Sequence, residues 1–367
     1  MNHNENTYNI LIIRFSSIGD IILSSPLLRS IKEKYPNVKI DYLTLSENSI
    51  LLKYNPYIDR LLLIDKEKGF SDIVNKSIIL RKIKYHYIID LHRNLRSLIF
   101  KLFLKYQKKT KLNKHYIKRF LLVHTNINLY CSPYSVINRY YDAAKVLNIQ
   151  SEKNTEIWTN HEDLIKSIET IKSISNLNIS PITGHFIGSK QIQQGLINKY
   201  KQKIISIMPF AKWKTKEWGD SKFIELGCRL TEEETYVFIL GGSEDKKRCE
   251  EISRCIGKNA IALAGRLTLL ETATALSISD CLVTNDTGVM HLGGAISIPV
   301  LAIFGCTTEE LGFFPNERSA KVIQIPVKCR PCTAKGRLEC PKKHFRCMKD
   351  ITVDTIYSSL KQMLKSN

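Results

Sequence analysis

Four short segments carry residues whose types and order suit chemistry, and each follows a run of aliphatic or β-branched residues. The first is Ser16-Ser17-Ile18-Gly19-Asp20. Gly19 permits a tight turn, and Asp20 opens an apolar helical repeat. A carboxylate there either caps the helix, worth about 1 kcal/mol, or takes a proton from an attacking hydroxyl as a general base. On spacing alone the cap is the commoner role. The second segment, residues 209–218, sets Lys212, Lys214 and Lys216 beside Trp213 and Trp218. Such a loop neutralises a phosphate or is simply a solvated run of lysines. The third, Gly241-Gly242-Ser243-Glu244, places a carboxylate where ribose hydroxyls could donate to it, or where an acid merely starts a helix. The fourth runs from Thr284 to His291 and opens a helix with no basic residue in its first turn. Free backbone amides and the positive helix end around Asp286, Thr287 and Gly288 could hold a diphosphate. The plainer reading is a cap by Asp286 or Thr287, with His291 packed in the core. No GxGxxG is present, so a dinucleotide-dependent dehydrogenase loses its main sequence support.

The elements that must position these residues alternate. In the first half, strands are expected at 8–15, 38–43, 60–64 and 87–90, with helical stretches between them. From about 152 to 202 the chain turns polar and irregular, with Pro181, Gly184, Gly188 and Gly195 as breakers. The second half gives strands at 203–208, 236–240, 260–264, 281–284 and 300–304, separated by helices at 221–230, 245–256, 269–279 and 288–296. The expected organisation is α/β, with two doubly wound parallel-sheet domains facing across a cleft: 1–190, 200–350, and a closing amphipathic helix at 351–367. Ligands of open α/β sheets bind beyond the carboxyl ends of the strands, which is where all four segments fall.

Length and composition bound the alternatives. The 367 residues suffice for two domains, and 43% hydrophobic with 25% charged residues is ordinary globular composition. The net charge of +20 points to anionic partners: nucleic acid, acidic lipid or a phosphorylated small molecule. An excess of Lys, Ile and Asn is also what genomic base bias produces, so the charge is discounted. The amino-terminal segment lacks a basic n-region, and the longest uncharged stretch, 287–308, is broken by glycines and Pro299, so a cytoplasmic protein is expected. Cys329, Cys332, Cys340 and Cys347 could build a four-thiolate zinc site. The second pair departs from CxxC spacing, which favours packed or paired thiols. Between Leu91 and Tyr141 there are eleven Lys or Arg and no Asp or Glu, interleaved with aromatics. A solvated basic face is the default, a membrane surface or nucleic acid the alternatives.

Taken together and in order, the segments IRFSSIGDIILSSPLLRSIKEKYP, DLHRNLRS, PFAKWKTKEW and TNDTGVMHLGGAISIPVLAIFG resemble glycosyltransferase family 9, the heptosyltransferases of lipopolysaccharide core synthesis. The resemblance implies a GT-B fold, with the acceptor on the first Rossmann-like domain and a nucleotide sugar, typically ADP-heptose, on the second. It implies inverting transfer without a metal or other cofactor. The family's proposed general base falls on Asp20, which raises the catalytic reading above the cap. The donor site falls on Lys216 at the phosphates, Glu244 at the ribose, and Asp286, Thr287, Gly288 and His291 around the diphosphate. Arg93 and Arg96 would face the lipopolysaccharide core acceptor, although many relatives carry a small or amide residue where this chain has Arg93. Similar carboxyl-terminal cysteines occur in some members. The expectation is a transferase in the cytoplasm, peripheral to the inner membrane, that takes no nucleic acid. The alternatives are a related enzyme using another sugar nucleotide and a non-catalytic basic binding protein on the same scaffold.

Overall fold

The structure, a computed structural model, describes residues 8–130, 134–152, 154–175, 177, 187–188, 203–315 and 319–366. The chain forms two compact units: Met1–His115 with Ser135–Trp158, and Tyr116–Tyr134 with Thr159–Asn367. The division therefore falls before residue 190. The reason is the 15-residue helix His161–Ser175, which the sequence reading took as irregular. Its Leu164, Ile168 and Ile171 are buried, and it packs against the helix Leu269–Ser277 of the second unit. Pro181, Gly184 and Gly195 lie outside the described residues.

The first unit holds strands β1 (Asn9–Ile13), β2 (Lys39–Leu45), β3 (Arg60–Ile64), β4 (Lys84–Asp90) and β5 (Lys105–Lys111). They form one parallel sheet in the order β3-β2-β1-β4-β5. β1 is central, with Ile12 paired to Tyr42 on one side and Ile89 on the other. Its uninterrupted run of aliphatic residues is what a strand covered on both faces requires. Leu11, Ile13, Phe15, Leu43, Tyr85 and Phe100 share one buried cluster. β5 was not expected. Its sequence, KYQKKTK, has no apolar period because it is an edge strand, where lysines guard unpaired backbone against association.

Two-residue strands β6 (Trp158–Thr159) and β7 (Ile187–Gly188) precede the second sheet. That sheet contains β8 (Ile204–Met208), β9 (Tyr236–Ile239), β10 (Ala260–Ala262), β11 (Cys281–Asn285), β12 (Val300–Ile303) and β13 (Ala320–Ile323). The order is β10-β9-β8-β11-β12-β13, again all parallel. Like β5, β6 and β7, β13 is a strand beyond those expected from the sequence. The terminal helix Val353–Ser366 packs on the helix Asp220–Thr231, within the second unit.

Both sheets wind outward from their first strand and then reverse. The reversal lies between β1 and β4 in the first unit, and between β8 and β11 in the second. At such a switch point the loops leaving adjacent strands splay apart, which opens a crevice at their carboxyl ends. The loops in question are those after β1, β4, β8 and β11.

Candidate functional site

At the first switch point, Arg14 ends the apolar run of β1 and is itself buried. Its guanidinium donates to the Leu91 carbonyl at 2.5 Å and lies 2.6 Å from Asp20 Oδ2. Asp20 sits in the helix Ile18–Ile22, and its Oδ2 also accepts from Ser17 N–H at 3.3 Å and Ser17 Oγ at 2.8 Å. Tyr140, 120 residues away in the chain, donates to Oδ1 at 3.1 Å. Burial pushes the Asp20 carboxyl up. The Arg14 charge and the Ser17 hydrogen bonds outweigh that, so its pKa lies below the ordinary carboxylate value. Asp20 is thus an ion-paired carboxylate that also closes the start of its helix.

The loop after β4 is organised by Asp90, which is fully buried. Asp90 accepts from His92 N–H, Arg93 N–H and Ser97 Oγ, and pairs with Lys101. Asn94 then caps the helix Leu95–Leu102 by accepting from Ser97 N–H at 2.9 Å. Arg93 takes a left-handed backbone conformation with φ of 50°, and its side chain donates to the Leu112 carbonyl. Arg96 is half-exposed in the first turn of that helix. His92 was not singled out in the sequence. Burial, then Arg14 and Lys114, push its imidazole down to about 4, so it is neutral at pH 7, and its buried Nδ1 has no hydrogen-bond partner among the described residues.

At the second switch point, Lys216 Nζ and Asp286 Oδ2 are 2.5 Å apart, and Thr307 Oγ1 donates to the same oxygen at 2.7 Å. Asp286 and Thr287 lead into the helix Gly288–Ala295, with Thr287 in extended backbone at the cap position. The first amides of that helix have no partner within it, and its positive end lies where Lys216 points its ammonium. Two fully buried supports hold this arrangement. Asn285 donates to the Pro209 carbonyl and accepts from Trp218 N–H, which ties the two ends of the Lys216 loop to β11. Thr215 Oγ1 donates to the Arg337 carbonyl and accepts from Arg337 N–H. Neighbouring Gly336 has φ of 123°, and a Cβ there would stand 2.4 Å from Trp213, so no other residue fits.

The structure thus brings Lys216, Asp286, Thr287 and Gly288 together. His291 is buried one turn into the helix, its ring 6.5 Å from that of Phe313. Glu244 lies on the exposed turn Ser243–Asp245 after β9, with Ser243 Oγ within 3.4 Å. No bond joins it to the Lys216–Asp286 pair among the described residues. A network that the sequence reading missed flanks the loop: Arg248 binds both oxygens of Glu217 and both of Asp220. Arg14 had a sequence signal, as the cation that breaks an apolar run at a strand end. Tyr140 and Arg248 had none, since only tertiary folding brings them in.

Cys329, Cys332, Cys340 and Cys347 are free thiols in the same unit. Burial pushes Cys332 up to about 11 and Cys347 up to about 12, so both are protonated at neutral pH. Among the described residues no group of three or more His, Cys, Asp or Glu side chains is placed to hold a metal ion, and no helix is long and apolar enough to cross a membrane.

Residues 78–343 match the model of glycosyltransferase family 9 (heptosyltransferase). The chain is 22% identical over 357 residues to lipooligosaccharide heptosyltransferase 2 of Campylobacter jejuni, covering 95% of this chain and 96% of that one. Among solved structures it is similar to a glycosyl transferase family 9 protein of Veillonella parvula, with a TM-score of 0.77, 18% identity and full coverage of both chains. It is also similar to the E. coli ADP-heptose lipopolysaccharide heptosyltransferase II, with a TM-score of 0.67, 19% identity and coverage of 98% and 99%. These likenesses show a GT-B fold built from two Rossmann-like domains.

Proposed function

Since the chain belongs to glycosyltransferase family 9, the heptosyltransferases, we propose that it moves a heptose from ADP-heptose to a lipopolysaccharide core acceptor with inversion and without a divalent ion. The observation that carries this reading is the Lys216–Asp286 pair at the opening of the helix Gly288–Ala295, on a switch point. An acceptor hydroxyl attacks the anomeric carbon while the bond to the diphosphate breaks, and the electron pair leaves with the phosphate. The transition state is oxocarbenium-like, with negative charge growing on the departing group. Lys216 and the helix amides are aimed at that charge, a role a metal fills elsewhere. Thr287 and Gly288 line the diphosphate, His291 backs it, and Glu244 accepts from the ribose.

Asp20 takes the proton of the attacking hydroxyl, and Arg93 and Arg96 hold acidic groups of the acceptor. Its lowered pKa makes Asp20 a weak base in the resting enzyme. It therefore accepts the proton late, once bonding to the sugar has made the hydroxyl acidic. A dissociative transition state allows that order.

Thermal stability with single nucleotides tests the donor. A ligand at 100 times its dissociation constant adds about 2.7 kcal/mol. ADP is expected to raise the melting temperature above UDP, GDP and CMP. Stabilisation by another nucleotide would keep the mechanism and replace the donor, whereas a response to DNA alone would overturn the transferase reading.

A further inference from the structure

Twelve of the thirteen large apolar side chains exposed among the described residues lie between Phe70 and Leu129. Scattered apolar residues are normal on a surface, but such concentration is not. In the first unit the concentration falls on two helices that pack together, Gly69–Leu80 and Leu95–Leu102. The second of these is apolar on two sides. Phe100 faces the core at 0% exposure, while Leu95, Leu98 and Leu102 form an outward stripe at 62%, 53% and 70%. A helix apolar all round is normally covered all round. Ile78 and Ile79, at the end of the companion helix, are 51% and 66% exposed.

Charge decides what covers this face. The helix Leu95–Leu102 runs straight into β5, whose Lys105, Lys108, Lys109 and Lys111 are all exposed. No acidic residue occurs from Leu91 to His115. Asp90 is fully buried under Lys101, and Asp72 on the companion helix is buried beside Lys76. The exposed acid nearest in sequence, Glu67, stands between Lys66 and Lys68. A second copy of the chain docked face to face would set lysines against lysines. Nucleic acid would find aliphatic leucines where stacking needs aromatic rings. Aliphatic side chains bordered by cations match a bilayer whose headgroups are anionic.

We infer that the helices Gly69–Leu80 and Leu95–Leu102, with the lysines of β5, form a membrane-docking face that inserts leucine and isoleucine side chains between anionic lipids. The same helix carries Arg96 at its other end, so docking would hold the acceptor loop at the lipid surface. The inference does not depend on which sugar is moved.

The test is co-sedimentation of the full chain with vesicles of phosphatidylcholine alone and of phosphatidylcholine containing about a third phosphatidylglycerol. Binding is expected only to the anionic vesicles, weakening as salt rises. Leu98→Ser with Leu102→Ser should lower it at least tenfold. Lys105→Gln, Lys108→Gln and Lys109→Gln should each lower it roughly fivefold. All five positions are exposed, so the variants should keep the parent melting temperature and the parent response to ADP. Variants that bind anionic vesicles as the parent does would overturn the inference. So would a parent that ignores the vesicles, a self-association lost in the leucine variant, or DNA binding lost with the lysines. Failure of ADP to stabilise the chain would instead remove the proposed donor and leave the docking face standing.

Discussion

Asp20→Asn is expected to lower turnover by about 10²–10⁴-fold, the usual contribution of a positioned general base, while leaving ADP affinity unchanged. The amide keeps nearly the shape of the carboxylate, but its one oxygen can accept from Ser17 or from Tyr140 and not from both, and it cannot take a proton. Lys216, Asp286 and their supports belong to the second unit, so nucleotide binding should not follow the change. The variant also leaves the buried Arg14 guanidinium without its counter-charge. Breaking a buried pair by removing one partner costs about 3–5 kcal/mol, so activity must be measured well below the variant's own melting temperature. A folded, ADP-binding variant with parental turnover would take Asp20 out of the reaction.

The ion pair also fixes a pH dependence. The folded-state pKa of Asp20 is below its unfolded value, so the stability that the carboxylate contributes is complete above the ordinary carboxylate range, near 3.9. It is lost as pH falls through the lower folded value. Between pH 5 and 8 neither stability nor turnover should change because of Asp20. Arg14→Met would leave only the Ser17 hydrogen bonds to oppose burial and so raise this pKa, which should move the acid limb of kcat upward.

Lys216→Ala should reduce kcat by about 10²–10³-fold, as loss of one pre-aimed donor does for a developing oxyanion. ADP affinity should fall by about 10–100-fold, since a hydrogen bond to a charged group contributes about 1.5–3 kcal/mol. The buried Asp286 carboxylate then keeps Thr307 as its only bonded partner among those described, so the variant should also melt earlier. Lys216→Arg separates the two effects. It restores the counter-charge and with it the melting temperature, but its planar fork reaches the phosphate from a different position and should recover only part of kcat. Unaltered ADP affinity in Lys216→Ala would place the diphosphate elsewhere.

The sequence was informative wherever a single segment carried the signal. β1 and β11 could be read because a strand buried on both faces carries a compact apolar run, Ile10–Ile13 and Cys281–Val283, and the site loops could be read because they follow where those runs stop. β5 was hidden because the feature that protects it, four lysines in seven residues, removes the apolar period by which strands are found. The helix His161–Ser175 did carry a repeat at Leu164, Ile168 and Ile171, but the polar residues around it masked the pattern. At the site, the position of Asp20 was legible and its electrostatic state was not. That state is set by burial opposed by Arg14 and Ser17, in a pocket that Tyr140, 120 residues away, helps to close. The same holds for Lys216: the loop suggested a phosphate ligand, but nothing local showed that Asp286 holds its ammonium at rest.

The most direct test of the whole account is transfer itself, followed by mass spectrometry with the purified chain, ADP-heptose and a heptose-acceptor fragment of lipopolysaccharide core, in the presence of EDTA. The acceptor is expected to gain one heptose, with inverted anomeric configuration and release of one ADP, at a rate that EDTA does not alter. Transfer from a different sugar nucleotide, retention of configuration, or a reaction that stops when divalent ions are chelated would contradict it.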